Sequence, residues 1–213
     1  MSKNKLKYKD FSYYDLSNND LSNNDLSNIR YTNFNCKNPN TKKKEYYRDD
    51  TTPILNDQLC FININYKNTS EILITTPVMT MPFKINENNG SFIMNLQFTN
   101  YKDDQNMNQF YNFMRNLEIQ HIKHIGLDES NVELYLPQIR RDKDEKYDPN
   151  LVTKLPFRYS KFECEAYNRD GELINILNIS RFSKMQCDIF IDKIWVFNDN
   201  YICKWKVKTI QLL

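Results

Sequence analysis

The sequence predicts a mainly β fold with one central helix, arranged as a small antiparallel barrel and preceded by a polar tail. Three observations carry this. Short runs of alternating apolar and polar residues recur from Leu59 to the end of the chain. Only the stretch Asp103 to Ile125 repeats apolar residues at three- and four-residue steps. Residues 1–50 show neither period and instead hold a short polar repeat.

The tail contains Asp15-Leu16-Ser17-Asn18-Asn19, the same five residues at 20–24, and Asp25-Leu26-Ser27-Asn28. A five-residue period suits a β-solenoid only when many coils stack, and one leucine per copy buries no core. A disordered low-complexity tail is therefore expected over 1–50, closed by Lys42-Lys43-Lys44, with a folded domain over 51–213.

Leu59–Tyr66 alternates as a half-buried strand, and Ile72–Thr76 begins a second one. Pro77 and Pro82 bracket Val78-Met79-Thr80-Met81, which places that segment at an edge or bend. Gly90 marks a turn into a third strand, with Phe92, Met94, Leu96 and Phe98 facing inward. The helix follows, with Met107, Phe110, Met114, Leu117, His121 and Ile125 on one face and Gly126 as its stop. Val132–Leu136 reads as a short strand before a highly charged loop reaching Pro149. Strands over Leu151–Arg158, Ser160–Tyr167 and Leu173–Ile179 come next, the last two joined by the Asp170-Gly171 turn.

The chain closes on two β-runs around Asn198-Asp199-Asn200. With Asp199-Asn200 as the loop, Trp195 stands across from Lys204, Ile194 from Trp205 and Val196 from Cys203. One face then carries Ile194, Val196, Cys203, Trp205 and Val207. The other carries Lys193, Trp195, Phe197, Ile202, Lys204 and Lys206. Seven or eight strands with a single interrupting helix leave too little helix for parallel crossovers and match the OB-fold pattern.

The chain has 29 basic and 27 acidic residues, a net of +2. A polyanion site must therefore arise from local patterning rather than bulk charge. The five cysteines are an odd count with no CxxC pair. That predicts reduced thiols in an intracellular, reducing compartment and no structural zinc. His121 and His124 are three apart but lack a third ligand of matching spacing, so no metal is expected. No apolar run is long enough to cross a bilayer, and the N-terminus lacks a secretory apolar segment.

The lysine face of the terminal hairpin, with rings between the lysines, suits a surface that holds phosphates and stacks bases. It equally suits a blunted sheet edge whose rings only pair across strands.

One further pattern bears on function. The segment Thr76-Pro77-Val78-Met79-Thr80-Met81-Pro82-Phe83, the helix, Tyr135-Leu136-Pro137-Gln138-Ile139-Arg140, Tyr147-Asp148-Pro149-Asn150-Leu151 before Lys154-Leu155, and the closing Ile194-Trp195 and Lys204-Trp205-Lys206 occur in this order. Together they resemble a family from nucleocytoplasmic large DNA viruses. That family is similar to the phage replication type of single-stranded DNA-binding protein. The likeness covers about residues 55–211. It implies an OB-fold that coats unpaired DNA in viral replication and recombination, without catalysis or cofactor, at the viral replication site in the host cell. The phage proteins end in an acidic tail that contacts replication proteins. This chain ends Lys208-Thr209-Ile210-Gln211-Leu212-Leu213, so recruitment of viral replication proteins in that manner is not implied.

Residues and resemblance together nominate Trp195, Phe197 and Tyr135 as stacking rings. They nominate Lys193, Lys204, Lys206, Arg140, Arg141, Lys143, Lys146, Lys154 and Arg158 as the cationic track. The expected partner is single-stranded DNA, with RNA as the other candidate. A homodimer through the helix or the charged loop is compatible with the sequence. No GxxxxGK, GxSxG or HExxH motif is present, and three glycines leave little room for a phosphate cradle, so no catalytic residue is nominated. The rival reading is a non-enzymatic viral structural or interaction protein built on a β-barrel or sandwich.

Overall fold

The computed structural model describes residues 28–33, 35–37, 59–66, 69–88 and 90–213. The pentapeptide repeat up to Ser27 and the Lys42–Lys44 run lie outside the described residues.

The element order is β1 (Ile29–Tyr31), β2 (Asn35–Lys37), β3 (Leu59–Tyr66), β4 (Ile72–Thr75), β5 (Met79–Thr80), β6 (Asn86–Asn88), β7 (Ser91–Gln97), α1 (Gln105–Ile125), β8 (Tyr135–Leu136), β9 (Ile139–Arg140) and β10 (Asn150–Leu155). It continues with β11 (Phe157–Arg158), β12 (Lys161–Phe162), β13 (Glu165–Tyr167), β14 (Leu173–Ile174), β15 (Lys184–Ile191), β16 (Lys193–Phe197), β17 (Asn200–Ile202) and β18 (Trp205–Leu212).

A barrel wall closes on itself. β5 pairs with β7, β7 with β10, β10 with β18, and β18 with β15, which returns to β5 and β4. If β4 and β5 count as one bent first strand, the wall runs first, second, third, fifth, fourth in chain order. The third and fifth strands are parallel. This is a five-stranded Greek-key barrel of OB type. The OB-like, mainly antiparallel barrel expected from the sequence is present, with parallel pairs at β10–β18 in the wall and at β13–β18 and β8–β17 outside it. Of the edge or bend expected around the two prolines, the bend is present: β4 and β5 both pair with β15 as one bent strand, and β5 bridges β15 to β7 inside the wall.

Alternation decides what lies inside. β7 buries Phe92, Met94 and Leu96 and turns Ser91, Ile93, Asn95 and Gln97 outward. β10 buries Leu151, Thr153 and Leu155 and turns Asn150, Val152 and Lys154 outward. Thr153 satisfies its buried hydroxyl by donating to the Met94 carbonyl at 2.8 Å. α1 closes one end of the core with Met107, Phe110, Phe113, Met114, Leu117 and His121. Its N-terminus is capped by Asp104, which accepts from the Met107 amide at 2.9 Å, and its C-terminus by Gly126 at φ 83°. A second sheet, β1-β3-β16-β17-β8, extends from the barrel, with β2 also on β3. β1 and β2 thus form strands within a stretch whose composition had indicated tail.

Several runs read as single strands are broken. Val132–Leu134 and Ile176–Asn178 are 3-10 turns, and the 160–167 run is split into β12 and β13. The Asp170-Gly171 turn is present, with Gly171 at φ 81° and its amide bonded to the Asn168 carbonyl. Cys60 is disulfide-bonded and stands opposite Cys36 in register, while Cys164, Cys187 and Cys203 are free and buried. The odd cysteine count therefore did not exclude a bridge.

Candidate nucleic-acid interface

The outward faces of β7 and β10 form the floor of a groove of about 850 Å³. The floor is Ile93, Asn95, Val152 and Lys154. One wall is the β6 hairpin, through Asn86 and Asn88. Another is the 136–141 crossover, and the third is Ile202 and Lys204 from the segment joining β17 to β18. In an OB barrel the second and third strands, with the loops between strands one and two and between four and five, are the surface that meets oligonucleotides. Among the described residues four cations line this groove, Arg140, Arg141, Lys154 and Lys204, and no acidic residue does. In a chain whose charges nearly cancel, that local excess makes the groove the candidate site for a polyanion.

Local structure holds these cations in place. β9 pairs with the start of β10, Arg140 opposite Asn150, and the Val152 amide donates to the Gln138 carbonyl at 2.8 Å. From behind, the half-buried Glu118 of α1 accepts from the Gln138 amide at 2.7 Å and the Ile139 amide at 3.4 Å. Burial raises the Glu118 carboxyl above its ordinary range, and those two amides, then Arg115 and Arg141, pull it back. The Arg141 guanidinium hydrogen-bonds the Tyr111 hydroxyl and lies 5.6 Å from its ring centre. Across the groove, burial and then the neighbouring Lys204 and Lys206 hold Lys154 below the usual lysine range. The two neighbouring ammonium groups thus add to the cost of charging Lys154, and an anion laid beside it relieves that cost.

The nominated residues divide. Arg140, Arg141, Lys154 and Lys204 line the groove. Lys206 stands beside Lys154 in register, but its Nζ bonds Asp192 at 2.7 Å. Lys193 and Trp195 form a cluster with Phe61. The Lys193 Nζ is 4.7 Å from the Phe61 ring centre and 5.5 Å from that of Trp195, and the two rings are 5.5 Å apart. Trp195 is half-buried and pairs with Ile202, so this cluster borders the groove. Phe197 is 48% exposed, opposite Asn200 at the hairpin end.

Lys143 and Lys146 sit on the exposed 142–148 loop away from the groove, where the Lys146 Nζ lies 5.3 Å from the Tyr147 ring centre. Arg158 lies beyond the Leu155 end of β10 and faces Glu163 at 3.6 Å. Tyr135 is corrected as a stacking ring. It is 3% exposed and its hydroxyl meets His121 Nδ1 at 3.0 Å, so it is a core side chain. His121 is held neutral by burial, down to about 3, and both histidines pack on Tyr31, His121 edge-on at 5.8 Å and His124 stacked at 4.1 Å.

The terminal hairpin turns at Asn198-Asp199, both left-handed, and pairs Trp195 with Ile202 rather than Lys204. The slip is of two residues, so every side chain keeps its expected face. Beyond Ile202 the chain leaves the hairpin, and Trp205 joins β18 in the barrel wall, 3% exposed.

Sequence reasoning missed Asn86, Asn88, Ile93, Asn95, Gln138, Val152 and Ile202 as groove residues, and Glu118 as the support of one wall. The odd positions of β7 were readable as the face complementary to Phe92, Met94 and Leu96. Glu118 was readable as a carboxylate beside the apolar helix stripe.

No family model and no curated protein matches the chain. Among solved structures it is similar to the single-stranded DNA-binding protein from bacteriophage Enc34 in complex with ssDNA, at 8% identity and TM-score 0.47 over 71% of this chain and 89% of that one. The same phage protein without the complex gives 8% identity and TM-score 0.47 over 70% and 83%. Gp2.5, a single-stranded DNA binding protein encoded by bacteriophage T7, gives 10% identity and TM-score 0.37 over 66% and 91%.

Proposed function

We propose that the groove over β7 and β10 binds single-stranded DNA without catalysis, coating unpaired strand regardless of sequence. The observation that supports it is the set of four cations lining the groove over the second and third barrel strands, with no acidic residue among the described lining. The cations track phosphates. The apolar patches Ile93, Val152 and Ile202 and the guanidinium planes of Arg140 and Arg141 give bases flat or greasy surfaces to rest on, and Trp195 lies beside Ile202. Asn86, Asn88 and Asn95 offer amides that can bond any base edge.

The setting we infer is replication or recombination of a DNA virus inside its host cell, as the likeness in sequence implies, with viral replication proteins as further partners. Fluorescence anisotropy with labelled oligothymidylate, the matching RNA and a duplex, each at low and moderate salt, tests the reading. Binding is expected to favour the single strand and to weaken steeply with salt. Equal affinity for duplex, or affinity indifferent to salt, would refute it and leave the scaffold reading in its place.

A further inference from the structure

Past the Leu155 end of β10 the chain forms the two-stranded hairpin β11–β12, with Phe157 opposite Phe162 and Arg158 opposite Lys161. Its base is stiff. Phe92, Phe157 and Phe162 pack mutually, with ring centres 4.7, 4.9 and 5.0 Å apart, and the Glu163 amide donates to the Pro156 carbonyl at 2.8 Å. Its tip is Tyr159-Ser160, both left-handed at φ 49° and 60°.

Tight hairpin turns of this kind favour Asn, Asp and Gly, because a Cβ is crowded at positive φ. A tyrosine there is unusual, and nothing in the packing rewards it, since the ring is 91% exposed. Strain held by a well-packed base and displaying a bare ring points to use of that ring. Arg158 and Lys161, both exposed, flank it on the paired strands. The hairpin continues the strand whose Lys154 lies in the groove, and Tyr159 is at most about 17 Å further along the chain.

We infer that the β11–β12 hairpin is a second stacking platform, on which Tyr159 between Arg158 and Lys161 holds a base of the strand after it leaves the groove. This rests on the groove binding a single strand. It also extends the occupied site beyond the barrel.

The test measures anisotropy of the full chain on two oligothymidylates, one of about four nucleotides that fills only the groove and one of about sixteen that can reach the hairpin. Tyr159→Ala and Tyr159→Asn remove the ring, and asparagine also suits the left-handed backbone, so a folding defect in the first is exposed by the second. Both are expected to bind the long strand about tenfold more weakly and the short strand as the parent does, while Tyr159→Phe keeps parental affinity for both. If the parent binds both strands and the variants match it on the long one, the platform is overturned and the groove reading stands. Equal losses on both lengths also overturn it. If the parent binds neither strand, the groove reading falls and the platform with it.

Discussion

Replacing Lys154 with methionine separates what the groove does for stability from what it does for binding. Lys154 sits half-buried beside Lys204 and Lys206, and its proton is held less tightly than in an unfolded chain. The folded state therefore binds fewer protons than the unfolded state between the lowered pKa and the ordinary lysine value near 10.4, and stability rises with pH across that window. Below the window the charged, crowded form is a fixed penalty. Lys154→Met removes it, so the variant unfolds at higher denaturant at neutral pH, and the difference shrinks as pH approaches about 10.

Binding moves the other way. If Arg140, Arg141, Lys154 and Lys204 each meet one phosphate, the logarithm of affinity falls with the logarithm of salt with a slope of about −2.8, and the variant's slope is about −2.1. A fourfold rise in salt then weakens the parent roughly fiftyfold and the variant roughly twentyfold. The assay is anisotropy titration on oligothymidylate at four or five salt concentrations, paired with urea unfolding. An unchanged slope, or a variant less stable than the parent at neutral pH, would refute the account of the three-lysine cluster.

Other substitutions probe the rest of the site. Lys206→Met should flatten the salt slope less than Lys154→Met does, because Asp192 already answers that ammonium group, and it should lower stability by leaving Asp192 unpaired; titration and urea unfolding read both. Trp195→Ala should weaken oligothymidylate binding by about 1–3 kcal/mol with a single unfolding transition retained, and parental affinity would remove the ring from the site. Glu118→Gln should lose the pH dependence that a half-buried, raised carboxyl confers. In the parent the burial penalty is relieved as pH falls toward the carboxylate's unfolded value near 4.3, so stability curves of parent and variant converge on acidification. Glu118→Ala should instead free the 138–141 wall and weaken binding, measured by the same titration.

What could be read from the chain was the side of each strand; what could not was the neighbour of each strand. The faces of the terminal hairpin survive a two-residue slip because side-chain direction has period two and pairing has no such constraint. The helix face was legible for the same reason, at its own period. The parallel meeting of β10 with β18 joins residues fifty positions apart, and nothing local records it. Tyr135 shows the limit from the other direction. Its neighbours Leu136 to Arg140 approach or line the groove, yet its own ring turns inward to His121, a choice settled by the helix packed behind it.

The same limit explains why net charge was silent about the groove. Its cations come from three places: the crossover after the helix, the third barrel strand and the entry to the fifth. Each contributes one or two, and each of those stretches also carries acids nearby in sequence. Folding separates the signs. Glu118 is turned under the 138–141 wall to hold two amides, Asp192 is spent on Lys206, and Glu163 faces Arg158 on the hairpin. What remains facing the groove is positive. If that sorting is what makes the site, adding a negative charge to the floor should matter more than removing a positive one. Asn95→Asp places a carboxylate on the groove floor, opposite Val152 and diagonal to Lys154, with almost no change in side-chain volume. It should raise the Lys154 pKa toward its ordinary value and stabilise the fold at neutral pH, while abolishing most strand binding.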